Sequence, residues 1–223
     1  MKNISNATLT FLTELKENNN KDWFTANKPR YEVAKKEFEQ FVDALIQKIA
    51  FFDPAIAHFT AKDCVFRIYR DVRFSADKSP YKTHFGAHIT SAPRKSEIHS
   101  RAGYYLHIEP GGSFLAGGAY LPESQWLKAI RQEISYNFEE FKGILNNKDF
   151  KKYFGEIEGE KLKKVPADYS ADHPAIEWLK HKSFLASSKI SDQQASSDDF
   201  LTHCGLVFKA LAPFDRFLNK AME

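Results

Sequence analysis

A chain of 223 residues that is 43% hydrophobic, with 20 Phe, 9 Tyr and 3 Trp, can bury a large aromatic core. That excludes a disordered chain and fits one domain over residues 1–223. Thirty-two basic against 29 acidic side chains leave a net charge of +3, too little for a general nucleic-acid binder.

The excess is concentrated. Within residues 66–86, Arg67, Arg70, Arg73, Lys78 and Lys82 stand against only Asp71 and Asp77, which accounts for all of it. Cys64 and Cys204 form no CxxC or Cys/His cluster of zinc-site spacing, and two cysteines do not make a disulfide scaffold. The first 20 residues lack the apolar run of a signal peptide, and no window approaches the roughly 18 apolar residues that span a bilayer. A cytoplasmic protein with reduced thiols and no membrane partner is expected.

In chain order, residues 6–17 read as a short helix with Leu9, Leu12 and Leu15 on one side, stopped by "NNN" at 18–20. "KDWFTANK" gives a second helical piece before Pro29. Tyr31, Ala34, Phe38, Phe41, Val42, Leu45, Ile46 and Ile49 then recur at spacings of three and four, the apolar stripe of an amphipathic helix. The period changes in "CVFRIYR" (64–70), "FGAHITS" (85–91), "GYYLHIE" (103–109) and "SFLAGGAYL" (113–121), which are short, β-rich and bounded by Pro, Gly and Ser. Gly111-Gly112 between the last two predicts an antiparallel hairpin. Helical spacing returns over 122–145 with Trp126, Ile130, Ile134, Phe138, Phe141 and Leu145. Residues 150–174 read as loop, 175–182 as helix, 184–190 as a strand, and 191–199 as an exposed loop or helix lead-in. A last helix carries Phe200, Cys204, Val207, Phe208, Leu211 and Phe214. Helices, then consecutive strands, then helices predict an α+β fold, with a mostly antiparallel central sheet and helices from both termini packed on it.

Strand alternation sorts the polar residues. In 64–70 it places Arg70 with Phe66 and Ile68 on the apolar face, where an arginine needs an acceptor: a distant carboxylate or a bound anion, Asp71 being too close in sequence. It places Tyr105, His107 and Glu109 opposite Tyr104, Leu106 and Ile108, and His88 and Thr90 opposite Phe85, Ala87 and Ile89. Arg67, Tyr69, His88, Thr90, Tyr105, His107 and Glu109 can thus share a polar sheet face, either washed by water or lining a pocket.

After that strand "DVRFSADKSPYK" reads as an ordered loop. Arg73, Lys78 and Lys82 on it could close over a phosphate or carboxylate, or form an internal network with Asp71 and Asp77. No metal is expected: His84 and His88 on one strand lie about 13 Å apart, and "HIE" at 107–109 lacks the P-C-x-x-C that completes a deaminase zinc site. The one open route is an ion shared by His107, Glu109 and a residue from elsewhere. No G-x-S-x-G elbow, P-loop or G-x-G-x-x-G is present, so no cofactor is expected, and Gly117-Gly118 reads as a strand bend or close packing.

"FRIYRDVRFSADKSPYKTHFGAHI", "YYLHIEPGGSFLAGGAYLP" and "FLTELKENNNKDWFTANKPRYE" resemble a widespread, mainly bacterial family of conserved hypothetical proteins, a domain of unknown function. The likeness spans nearly the whole chain. "LKKVPADYSADHPAIEWLKHK" resembles a later motif of that family, with Ala167 and Asp168 where a basic residue and a glycine would stand. The resemblance implies one compact α+β domain and a shared site around Arg70, Asp71, Arg73, Asp77, Lys78, Tyr81 and Lys82. It implies no activity.

The function expected from these residues is binding of a small anion bearing phosphate or carboxylate, by a protein or enzyme with a basic pocket at residues 67–82 beside the polar sheet face. Arg67, Arg70, Arg73, Lys78, Lys82, Tyr81 and Tyr105 would hold the ligand. Any chemistry would fall to His107 with Glu109 as general acid and base, with Asp71 and Asp77 as further candidates. The alternative is a non-catalytic module that meets an acidic protein or a nucleic-acid backbone.

Overall fold

Ser5 shows how the chain starts its first helix: its hydroxyl accepts the Thr8 amide at 3.2 Å, opening α1 (Asn6–Glu17). The computed structural model describes residues 2–92 and 99–223. Leu9, Leu12 and Leu15 are buried together with Phe11, and the asparagine run ends α1 because Asn20 caps the next helix, α2 (Lys21–Ala26), accepting from the Trp23 amide at 3.0 Å. With Pro29 in its first turn, α3 (Lys28–Ala50) buries seven of the eight predicted stripe residues, Ala34 through Ile49, and half-buries Tyr31.

Residues 64–70 depart from expectation and form no strand. Thr60 and Asp63 make a reciprocal capping box that starts α4 (Ala61–Cys64), so Cys64 is helical. Beyond it the chain makes two isolated antiparallel bridges, Val65 to Ala87 and Tyr69 to Tyr81. The bridges lie four positions apart on one side and six on the other, so the ladder is interrupted, yet Phe66, Ile68 and Arg70 remain more buried than Arg67 and Tyr69 between them.

The strands β1 (Phe85–Ile89), β2 (Gly103–Ile108), β3 (Phe114–Ala119) and β4 (Phe184–Lys189) form an antiparallel sheet in that order. The Gly111 turn between β2 and β3 has φ 71°, a conformation glycine adopts without strain, and Ser113 Oγ clamps it by donating to Glu109 O at 2.9 Å. The helix predicted over 122–145 is two, α5 (Ser124–Tyr136) and α6 (Phe138–Leu145), broken at Asn137, whose amide side chain donates to Glu133 Oε1 at 2.9 Å. Asn147 caps α7 (Lys148–Phe154), which runs into the segment 150–174 expected to be loop. The remaining helices are α8 (Ile176–Leu179), α9 (Asp192–Ala195) and α10 (Phe200–Lys220). The fold is α+β, and no helix among the described residues is long and apolar enough to cross a membrane.

The chain divides into two compact units. One comprises Met1–Ile89, Tyr105–Leu115 and Lys189–Leu206; the other comprises Thr90–Tyr104, Ala116–Ser188 and Val207–Glu223. In the first, Phe41 stacks on Phe200 with ring centroids 5.1 Å apart and Phe38 on Phe85 at 5.3 Å. In the second, Phe141, Phe150, Phe214 and Phe217 cluster, and the Trp126 indole donates to Leu218 O at 3.1 Å.

Candidate functional site

The alternation expected along β2 holds, with a difference. Tyr104, Leu106 and Ile108 are fully buried and Tyr105 and Glu109 half-buried, but His107 on the polar side is only 8% exposed. This side of β2 is therefore not simply washed by water; it is covered by the segment that leads into β1. His84 from that segment lies against His107 with ring centroids 4.2 Å apart, and Phe114 stacks on His107 at 4.6 Å.

A chain of polar contacts runs along the strand. The Tyr105 hydroxyl is 3.1 Å from His107 Nδ1, His107 Nε2 is 3.3 Å from Glu109 Oε2, and Thr83 Oγ1 donates to Glu109 Oε1 at 3.0 Å. Lys16 approaches the same Oε1 at 3.7 Å. Gly86 leaves room for the tyrosine, since a Cβ there would stand 2.9 Å from its hydroxyl. His84, His107 and Glu109 each turn one ligand-capable atom into a cluster with all separations within 4.8 Å. His84 is the residue that spacing along a single strand misses: its neighbour is not His88 but His107 on the paired segment, and pairing register is a long-range property.

Burial, then the adjoining His107, depresses His84 to about 4. Burial also lowers His107 despite its bond to Glu109. Burial alone would raise the Glu109 carboxyl, but the bonds from His107 and Thr83 outweigh it and leave it lowered. At neutral pH the cluster is two uncharged imidazoles beside a carboxylate.

The basic segment is partly self-satisfied. Arg70 pairs with Asp77, and also donates to Ser79 O at 3.1 Å and Ser75 Oγ at 3.4 Å. The bonds Asp77 accepts from Ser79, together with Arg70, lower its carboxyl to about 2. Arg73 forks onto Asp71 at 3.0 and 2.7 Å, Lys78 donates to Val72 O at 3.0 Å, and Tyr81 is buried in a 3.9 Å stack on Phe24. Asp71 and Asp77 thus hold arginines, and Tyr81 serves packing. Arg67 and Lys82, like Lys78, form no ion pair with any described residue, although the Arg67 charge helps to lower the Asp71 carboxyl. Lys82 is half-buried, with Nζ 5.2 Å from the Phe66 ring centroid, and burial and the Arg67 charge both lower its pKa. A cleft of about 590 Å³ elsewhere in the same unit, lined by Glu39, Asp43, Gln47, Phe59, Thr60 and Lys62 among others, sets two carboxylates against one lysine.

A family model for a conserved hypothetical protein (DUF2461) matches residues 7–217. The chain belongs to that family. No curated protein and no solved structure gives a significant match.

The histidines give this DUF2461 protein a defined acid response. Imidazoles of the unfolded chain titrate near 6.5, so between about 6.5 and 4 the unfolded state binds more protons than the folded one and stability falls as pH falls. Allowing for the partial exposure of His84, its share is about 1–2 kcal/mol between neutral pH and 4. His84→Gln should flatten the dependence of the urea midpoint on pH across that window. Parallel curves for the two proteins would contradict it.

Proposed function

We propose that this DUF2461 protein binds a small anion bearing phosphate or carboxylate, held by Lys82 and Arg67 beside His84, His107 and Glu109. The observation that carries this reading is the half-buried Lys82 ammonium with Arg67 close by and no ion pair for either among the described residues. Asp71 offsets part of the Arg67 charge, and the partly desolvated Lys82 ammonium still stands beside a like charge that an anion would relieve. Arg73 and Lys78 are exposed, and Arg70 and Arg73 are committed to Asp77 and Asp71. Tyr105 and Glu109 engage the two ring nitrogens of His107 and fix its orientation beside such a ligand. Both cysteines are buried, in keeping with a reducing, cytoplasmic setting.

Thermal shift with inorganic phosphate, citrate and a panel of sugar phosphates tests the reading. A binding anion at 100 times its Kd should add about 2.7 kcal/mol of stability. Lys82→Met, which keeps the aliphatic stem over Phe66, should abolish that gain, and Arg70→Gln should lower basal stability while the remaining folded protein still responds. No response to any anion, or an undiminished one in Lys82→Met, would reject the proposal. A response found only with polyanions and lost steeply as salt rises would instead favour backbone or acidic-protein binding.

A further inference from the structure

The polar chain along β2 ends in a geometry that anion binding alone does not require. We propose that His84, His107 and Glu109 form a binding site for one divalent transition-metal ion of the zinc class, with coordination positions left open for the anion. The second half of this inference rests on the anion-binding reading above; the ion site itself does not.

Four observations converge. Zinc bonds of about 2.0–2.2 Å to nitrogen and oxygen put neighbouring ligand atoms of a tetrahedral set about 3.3 Å apart. His107 Nε2 and Glu109 Oε2 already stand at 3.3 Å, and all three ligand atoms lie within 4.8 Å, so a modest turn of the His84 ring closes the set. The ligand type also fits. Two imidazoles and one carboxylate, with no thiolate, suit zinc, iron(II), cobalt(II) or manganese(II) rather than copper(I). Three protein donors are the number found where a metal keeps a position open for substrate, whereas structural zinc is closed by four.

The outer groups are arranged as metal-ligating residues usually are. With Nδ1–H of His107 donating to the Tyr105 oxygen, the ring presents the Nε2 lone pair to the cluster. Thr83 holds Glu109 through Oε1 and leaves Oε2 toward His107. The ligands stand on or beside paired strands, with Phe85 next to His84 buried under α3, so the cluster is held by the core rather than by a loose loop. Last, the charge balance favours an anion. A divalent ion with one carboxylate carries a net positive charge, and Lys82, whose charge reaches His84, adds to it, so a phosphate or carboxylate completing the coordination would offset that charge.

Cobalt(II) titration of chelator-dialysed full-length protein, read by visible d–d absorption, tests the site. The expected result is one Co(II) per chain in a four- or five-coordinate spectrum. His84→Gln and Glu109→Gln should each weaken Co(II) by more than about 100-fold, and Tyr105→Phe, which removes only the group orienting His107, by about 10-fold. Circular dichroism confirms that each variant is folded, and His84→Gln keeps a polar side chain of similar reach. Lys82→Met removes a like charge that acts on His84, so it should not weaken Co(II), while it should remove the spectral response to added phosphate. Absence of stoichiometric Co(II), or Co(II) binding that His84→Gln and Glu109→Gln leave intact, would overturn the ion site. Co(II) bound by these residues with no response to any anion would uphold the ion site and remove the anion reading. Phosphate binding to a protein that takes up no Co(II) would do the reverse.

Discussion

Gly118→Ala is expected to cost more than about 4 kcal/mol, enough to leave little folded protein if the wild type has ordinary domain stability. Gly118 has φ +109°, which a side chain strains against in any surroundings. The surroundings make it worse: an added Cβ would run into Phe184 O and stand 3.0 Å from the Phe214 ring. Phe184 O is backbone of the adjacent strand β4, so it cannot swing aside as the tip of a long side chain can. Relief would require parting β3 from β4 and forfeiting ladder hydrogen bonds. Gly143→Ala is the contrast. It lies inside α6 with nothing within 4 Å of its added Cβ, so alanine there should gain up to about 1 kcal/mol from helix propensity and reduced unfolded-state entropy. Urea unfolding of both variants measures the difference, and similar midpoints would show that β3 and β4 do not approach as described.

The Gly117-Gly118 pair was legible as close packing; that the neighbour is a β4 carbonyl was not, because strand pairing joins residues far apart in sequence. The same division runs through the molecule. The stripes of α1, α3 and α10 could be read because one apolar period decides which face is buried. The shared side of Tyr105, His107 and Glu109 could be read because strand alternation is local. Residues 64–70 look β-rich, yet the Thr60–Asp63 capping box makes Cys64 helical and the unequal bridge spacing breaks the ladder after it. Arg70 was expected to need a distant acceptor, and Asp77, seven residues on, supplies it; Asp71 instead takes Arg73. His84 could not be placed, since its importance comes from facing His107 on the paired segment. Spacing along one strand speaks only to a His84–His88 site and could say nothing of one built across two.

Phe38→Ala should cost about 3–5 kcal/mol and, unlike an equally severe core truncation nearby, should also disturb the candidate ion site. Phe38 is fully buried on α3 and stacks on Phe85, the first residue of β1. Its truncation opens a cavity directly beneath that residue, and alanine is too short for the surroundings to collapse onto. Phe85 is bonded to His84, so loosening it frees the one imidazole that must turn to complete the cluster. Phe41→Ala provides the comparison. It removes a ring of the same size from the same helix, but its stacking partner is Phe200 on α10. Phe38→Leu, which keeps most of the volume, should cost less than about 1.5 kcal/mol and leave the site in place. Both alanine variants should lower the urea midpoint similarly. Co(II) titrated at a temperature where each is still folded should be weakened in Phe38→Ala alone. Equal weakening in the two would mean that His84 is not positioned through Phe85, and that the α3 side of the core contributes stability without shaping the site.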